Sequence, residues 1–371
     1  MDTTELDLLQ KANIAIRKIR PDLTSERACE AFYSERLLEI CFLSGRCSRD
    51  QQGSCMMCDY GTSQVDCTNR EYICEMNQIL QNEFRPVDIL LLCTNGSFFD
   101  NSQISHELFR TILEQAGASN ISVIELETHY LDVTREKLEL VKRLLPRKEV
   151  VIEMGLETIQ MDYQEKVIMK GIDLTVYDTV INLIRSFGFG VDINIMVGLP
   201  FLSAKEQIEG VLHTIHWVIV HGGKPVLFPV NVKPYTLLME AYCAGFYHTV
   251  SQWLLPLILD ALPENELEQV TVVWYGAREE NYGVNSKHAV FPHACHTCSE
   301  TILKFYTKFA ETRGGEERKR LLYQLFTEKA CQCLEQTKKD ILQVPENTFK
   351  ERYASFLAWL STKRMEWRMD L

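Results

Sequence analysis

Thirteen cysteines are spread over 371 residues, and two groups of them have the spacing of metal ligands. The first is Cys47, Cys55 and Cys58, a C-x7-C-x2-C run in the segment from Gly45 to Gly61. Three thiolates can hold a four-iron cluster while leaving one iron open to an exchangeable ligand. A C-x2-C pair also suits structural zinc, which normally takes four ligands; Cys67 or Cys74 would then supply the fourth. The second group joins Cys295 and Cys298, spaced C-x2-C, to Cys331 and Cys333, spaced C-x-C. Four thiolates close the shell of a zinc ion or bind an iron–sulfur cluster, with His293 and His296 as further candidate ligands or helix caps. The odd count, the clustering and an opening segment without the basic-then-apolar order of an export signal point to reduced, metal-binding thiols rather than disulfides.

These groups need elements to position them. Apolar, β-rich runs at Leu37–Leu43, Asp88–Cys93, Ile121–Leu126, Val150–Met154, Gly190–Val197 and Pro225–Val230 alternate with amphipathic stretches at Ser105–Ala116, Thr134–Leu145, Leu174–Ser186 and Lys205–His221. The alternation predicts a parallel sheet under covering helices, a barrel or an open part of one. Thr134 and Ser203 read as helix starts, the latter in a capping box with Glu206. The first cysteine group follows the first strand and so falls at the C-terminal strand ends, where barrel enzymes place their chemistry. Glu125 and Glu127 are two residues apart on the third strand and share one side of it. Two like-facing carboxylates are costly in a dry core, so they are expected to face a cavity or cationic partners.

A helix over Glu5–Ile19, stopped near Pro21, leads in; Thr271–Tyr275 reads as a further strand, and most of the chain from Ala294 reads as helical. The expected division is a lead-in helix in residues 1–30, a partial barrel over 31–276 and a helical module with the four-cysteine site over 277–371, separated by a composition shift near Ala277–Pro292. Hydrophobic residues make up 46% and charged residues 24%, a globular balance, and no apolar run has the length of a membrane span, so a soluble, cytoplasmic protein is expected. The net charge of −12 gives no basic field to gather nucleic acid and favours a small molecule or a protein as partner over tRNA.

Behind the first cysteines, Leu92–Asp100, Glu125–Tyr130, Glu153–Thr158, Glu165–Gly171, Asn194–Pro200 and Pro229–Thr236 follow in order, mostly at successive strand ends. This series resembles the radical S-adenosylmethionine (SAM) superfamily and, within it, the branch containing archaeosine lyase and the Elongator catalytic subunit. The usual spacing of that superfamily is C-x3-C-x2-C, from which this chain departs; its variant, with Gly53 and Met57, is similar to the archaeosine-lyase branch, as is the C-terminal C-x2-C and C-x-C arrangement. The resemblance implies an α/β fold, a partial (β/α)6-type radical SAM barrel with a mainly helical C-terminal module. It implies a [4Fe–4S] cluster on Cys47, Cys55 and Cys58. For SAM it implies Asn95, Gly96 and Ser97 at the methionine amino group, Glu157 at the ribose, Lys170 at the carboxylate, and Met196, Gly198 and Pro200 at the adenine. Glu127 would contact SAM or handle protons, and Tyr235 would face the substrate; Tyr60, His129 and Tyr130 are further candidate donors by position. The C-terminal cysteines would carry zinc or a second iron–sulfur cluster.

The implied activity is reductive cleavage of SAM to a 5′-deoxyadenosyl radical that abstracts hydrogen from a small metabolite or an amino-acid-bearing substrate, fed by an external electron donor of flavodoxin or ferredoxin type. The alternatives are C–N cleavage on a modified tRNA base, as in archaeosine lyase, and a non-catalytic metal-bound interaction protein. No membrane partner is expected.

Overall fold

The computed structural model describes residues 3–18, 27–34, 36–44, 47–59, 67–82, 86–273, 289–328, 331–363 and 365–367. Eight strands lie in sequence order in one sheet: β1 (Cys29–Ser34), β2 (Leu37–Phe42), β3 (Ile89–Thr94), β4 (Val123–Thr128), β5 (Glu149–Glu157), β6 (Gly190–Val197), β7 (Lys224–Pro229) and β8 (Thr271–Val272). Strands β2 to β8 run parallel, and β1 adds antiparallel to β2. The six expected strands are all present within a few residues, and the sheet curls into a half-barrel. The seventh expected strand survives as β8, while Trp274 and Tyr275 lie outside the described residues, as do most of the expected boundary and Tyr60. The sequence reading did not anticipate β1, because Cys29–Ser34 has neither a long apolar run nor clean alternation.

The helices are α1 (Thr3–Lys18), α2 (Asn69–Gln81), α3 (His106–Ala118), α4 (Arg135–Leu144), α5 (Leu174–Ser186), α6 (Ala204–Val220), α7 (Leu237–Cys243), α8 (Leu254–Ala261), α9 (His296–Glu311), α10 (Gly315–Glu328), α11 (Gln332–Leu342) and α12 (Phe349–Thr362). Local chemistry starts several of them. Thr134 caps α4 by accepting from the Lys137 amide, and Ser203 and Glu206 form the expected capping box on α6. The outward face of the strands, with Ile40, Leu92, Leu126, Ile152 and Ile193, packs against Ile112, Val141, Ile181 and Ile215 of the covering helices. A second core gathers Leu9, Ala12 and Ile16 of α1, Met56 and Met57, Leu237 and Leu238 of α7, and Phe356 and Leu360 of α12. It fixes the segment carrying the first cysteines. No helix among the described residues is long and apolar enough to cross a membrane.

Candidate active site

Alternation along the strands turns one set of side chains outward into the core and leaves the other inside the curl, around a cavity of about 660 Å³. That volume is within the ~300–1,000 Å³ of small-molecule sites. Cys47, Cys55 and Cys58 line it, and so do Asn95, Gly96, Ser97, Glu127, Glu157, Lys170 and Met196. Gly198 and Pro200 are not in this lining: the Gly198 amide donates to Gln207 Oε1 and its carbonyl accepts from the Tyr247 hydroxyl, which fixes the turn after β6. Tyr235 also lies outside the lining and is 37% exposed.

The cysteine segment begins with a short helical turn, Ser48–Gln51, and then folds so that the Cys58 amide donates to the Cys55 carbonyl and the Cys55 amide to the Ile168 carbonyl. Burial pushes the Cys55 thiol up to about 12 and Cys58 well above its ordinary value, so in the metal-free chain both are neutral. Of the candidate fourth ligands, Cys74 is exposed on α2 and Cys67 is half-buried at its base; neither lines the cavity.

At the end of β5 the chain bulges, with Glu157 in the left-handed region at φ 68°, and this turns its carboxylate onto the Lys170 ammonium. Burial lowers the lysine's affinity for its proton, but Glu157 and the neighbouring Cys55 outweigh it and hold the ammonium well above the usual lysine range. The residues expected at the ribose and at the SAM carboxylate thus meet each other. Gly96 is tightly packed rather than open: a Cβ there would lie 2.4 Å from Gln103 Oε1, which also accepts from the Ser97 amide and the Thr94 hydroxyl.

The same lining carries a row of acidic side chains. In register, Glu127 neighbours Glu153, Glu153 neighbours Asp192, and Asp192 neighbours Lys224, with which it pairs at 3.8 Å. Glu39 and Glu125 line the same space. Burial first, then Asp192 for Glu125 and Glu39 for Glu127, push both carboxyls up to about 7; Glu153 is driven well above the usual carboxylate range by burial and by Glu127. His129 is neutral because burial pulls it down to about 3; its Nδ1 accepts from the Leu131 amide, so Nε2 carries the proton. That Nε2, Asn194 Oδ1 and Asn231 Oδ1 are buried in the cavity lining without hydrogen-bond partners, an arrangement that suits a polar ligand. Tyr130, in contrast, is buried with its hydroxyl donating to the Gly171 carbonyl and accepting from the Asp173 amide.

The sequence reading missed Glu39, Glu153, Asp192 and Lys224. Their signal was an ionisable residue at an inward position of an apolar strand, the same signal that singled out Glu125 and Glu127.

At the other end of the chain the sulfurs of Cys295, Cys298, Cys331 and Cys333 all lie within 4.8 Å of one another, as a metal site requires. Cys295 and Cys331 are 3.6 Å apart and Cys331 and Cys333 3.3 Å, and the Trp253 indole donates to Cys333 at 3.2 Å. His293 and His296 are not part of the convergence: His293 contacts the Thr249 hydroxyl, and His296 is exposed beside Glu300.

No family model matches the chain. It is 24% identical over 362 residues to archaeosine synthase subunit beta of Methanosarcina acetivorans, across 92% of this chain and 98% of that protein. The subunit of the same name in Thermococcus kodakarensis is 26% identical across 44% of this chain and 52% of its own length. Among solved structures, methylornithine synthase is similar at 12% identity over 73% of this chain and 78% of that one, with a TM-score of 0.45. The radical SAM methyltransferase TsrM from Kitasatospora setae is similar at 17% identity over 58% of this chain and 41% of that one, with a TM-score of 0.40. The Methanocaldococcus infernus Elp3 gives 15%, 66%, 59% and 0.42 in the same order. The chain spans less than two thirds of the length of TsrM and of that Elp3.

The likeness that runs nearly end to end through both chains is the one to archaeosine synthase subunit beta. The geometry is that of a charged cavity with three thiols in its lining.

Proposed function

We propose that the chain is a radical SAM enzyme whose Cys47, Cys55 and Cys58 hold a [4Fe–4S] cluster, with SAM between those thiols and the Glu157–Lys170 pair. The observation that carries this reading is that one cavity lines up the three thiols, the strand end Asn95–Ser97 and the Glu157–Lys170 pair. When bound, the cluster supplies the electron that cleaves SAM to a 5′-deoxyadenosyl radical. The chain's own contributions are separate. Glu157 offers acceptors for ribose hydroxyls, Lys170 a cation for a carboxylate, and His129 Nε2 and Asn194 Oδ1 a buried donor and acceptor.

The row Glu127, Glu153 and Asp192, together with Glu39 and Glu125, supports a substrate that brings an amino group. Crowded carboxyls held near neutral pH take up a proton when the cavity is empty and release it to pair with an incoming ammonium. This favours the amino-acid-bearing substrate. Modified tRNA is the second reading, supported by similarity to archaeosine synthase subunit beta over 98% of that protein.

For the C-terminal cysteines the proposal is zinc. A single tetrahedral ion with metal–sulfur bonds of ~2.3 Å separates its sulfurs by about 3.8 Å, and the spacings of 3.3 to 3.9 Å among Cys295, Cys331 and Cys333 suit it, with all four sulfurs within 4.8 Å. A four-iron cluster puts each thiolate on its own iron and spreads them farther.

The test is anaerobic reconstitution with iron and sulfide, then dithionite and SAM, following 5′-deoxyadenosine by mass spectrometry with metal analysis of the same sample. Deoxyadenosine formation is expected, and it should rise when the true substrate class, amino compound or modified tRNA, is added. Zinc at both cysteine groups with no SAM turnover would overturn the proposal in favour of a non-catalytic metal-bound protein.

A further inference from the structure

The lead-in helix α1 has no side chain in the cavity lining, yet it holds the cysteine segment from behind. Arg17 forms an ion pair with Asp50 in which the two side chains are 11% and 1% exposed. The same guanidinium donates to the Asp50 carbonyl at 3.0 Å and to the Ser54 carbonyl at 3.0 Å. One turn earlier, the buried Asn13 amide donates to the Gly53 carbonyl at 2.8 Å. Gly53 itself sits at φ 81° against the helix backbone, where a Cβ would lie 2.5 Å from the Gln10 carbonyl oxygen. Helix and loop are therefore in backbone contact, and the carbonyls of Asp50, Gly53 and Ser54 that Arg17 and Asn13 bind all lie between Cys47 and Cys58.

We propose that Arg17 and Asn13 are positioning residues that set the shape of the cysteine loop and keep Cys55 and Cys58 turned to the cavity. The proposal rests on the cluster reading above for its functional meaning. Its physical basis is independent of that reading. Residues 50 to 54 form a turn with carbonyls that accept from α1, and a planar guanidinium fork can bind two of them while also pairing with Asp50. Lysine carries its three donors on one nitrogen and lacks the planar fork, so it cannot reach the same acceptors in the same geometry. Asp50 lines the cavity beside the thiols, so Arg17 also cancels a buried negative charge where an anionic cluster would sit.

The experiment is amide hydrogen exchange on the metal-free full chain, wild type against Arg17→Ala, Arg17→Lys and Asn13→Ala. Iron uptake and the cluster's midpoint potential are measured on the reconstituted proteins. Exchange in residues 50–58 should quicken by roughly tenfold or more in Arg17→Ala while peptides of α3 to α6 are unchanged, with partial recovery in Arg17→Lys. The reconstituted Arg17→Ala protein should lose iron to a chelator several-fold faster and show a more negative potential, because the Arg17 charge beside Asp50 is gone. Unchanged exchange of the loop in folded Arg17→Ala and Asn13→Ala proteins overturns the clamp. Should Arg17→Ala unfold as a whole, Asn13→Ala, which removes one neutral hydrogen bond, decides by the same readout. A wild type that takes up no iron sinks the cluster reading, and the exchange comparison still decides the clamp.

Discussion

Glu125 and Glu127 hold protons more tightly in the folded chain than in the unfolded one, at about 7 against an ordinary 4.5. For a carboxyl with a raised folded value, the folded state binds more protons between the two values. The stability is therefore fully present below about 4.5 and is lost as pH rises through about 7. The metal-free chain should melt at a higher temperature at pH 5.5 than at pH 8, and Glu127→Gln should flatten that difference; equal melting temperatures in the wild type would contradict the burial of these carboxyls. The Glu157–Lys170 pair makes a second case. Its side chains are 5% and 21% exposed, so removing the lysine strands a buried carboxylate, and breaking such a pair costs about 3–5 kcal/mol. Lys170→Met is expected to show that loss in urea unfolding. Glu157→Ala should chiefly weaken SAM affinity in calorimetry, and unaltered binding would take Glu157 out of the ribose role.

At the level of elements, the zinc proposed for the C-terminal cysteines would act as a staple. Cys295 is the residue before α9, and Cys331 and Cys333 stand at the start of α11. The Trp253 indole on Cys333 and the Thr337 hydroxyl on Ser251 tie α11 to the corner that leads into α8. Short helices depend on tertiary contacts more than on propensity, so this corner is expected to fail first when the staple is cut. A Cys295→Ala/Cys298→Ala double variant should lose the proposed zinc and unfold at a lower temperature. Unchanged metal content would refute a closed four-cysteine site. The strand-end elements were legible in the sequence because their apolar runs and caps are local. Strand β1 was not, since it gains its order from pairing with β2; helix α2 went unread although its Thr68–Glu71 capping box is a local signal of the same kind as that of α6.

For the whole molecule, the two cysteine groups sit in different cores. Cys298, Cys331 and Cys333 pack with the outer layer, and Met56 and Met57 beside the first group pack with α1 and α12. Loss of one metal should therefore leave the other in place. Cys55→Ala is expected to purify folded with the proposed zinc in place, but without brown iron–sulfur absorbance or SAM cleavage; retained turnover would contradict the cluster assignment. The net charge of −12 lies partly inside, on the acidic row of the cavity, where it bears on a bound ligand more than on long-range steering of nucleic acid.

By itself the sequence determined the alternating strands and helices, the two cysteine groups and the order of the strand-end motifs, because periodicity, capping and ligand spacing are properties of neighbouring residues. Tertiary structure alone decided what faces what. It brought Lys170 onto Glu157, set Glu127, Glu153 and Asp192 side by side from three strands, turned Tyr235 out of the cavity lining, and laid Arg17 against a loop more than thirty residues away. The physical reason is that register and curl act across strands: a parallel sheet fixes which inward residues become neighbours, and only the folded chain contains that distance.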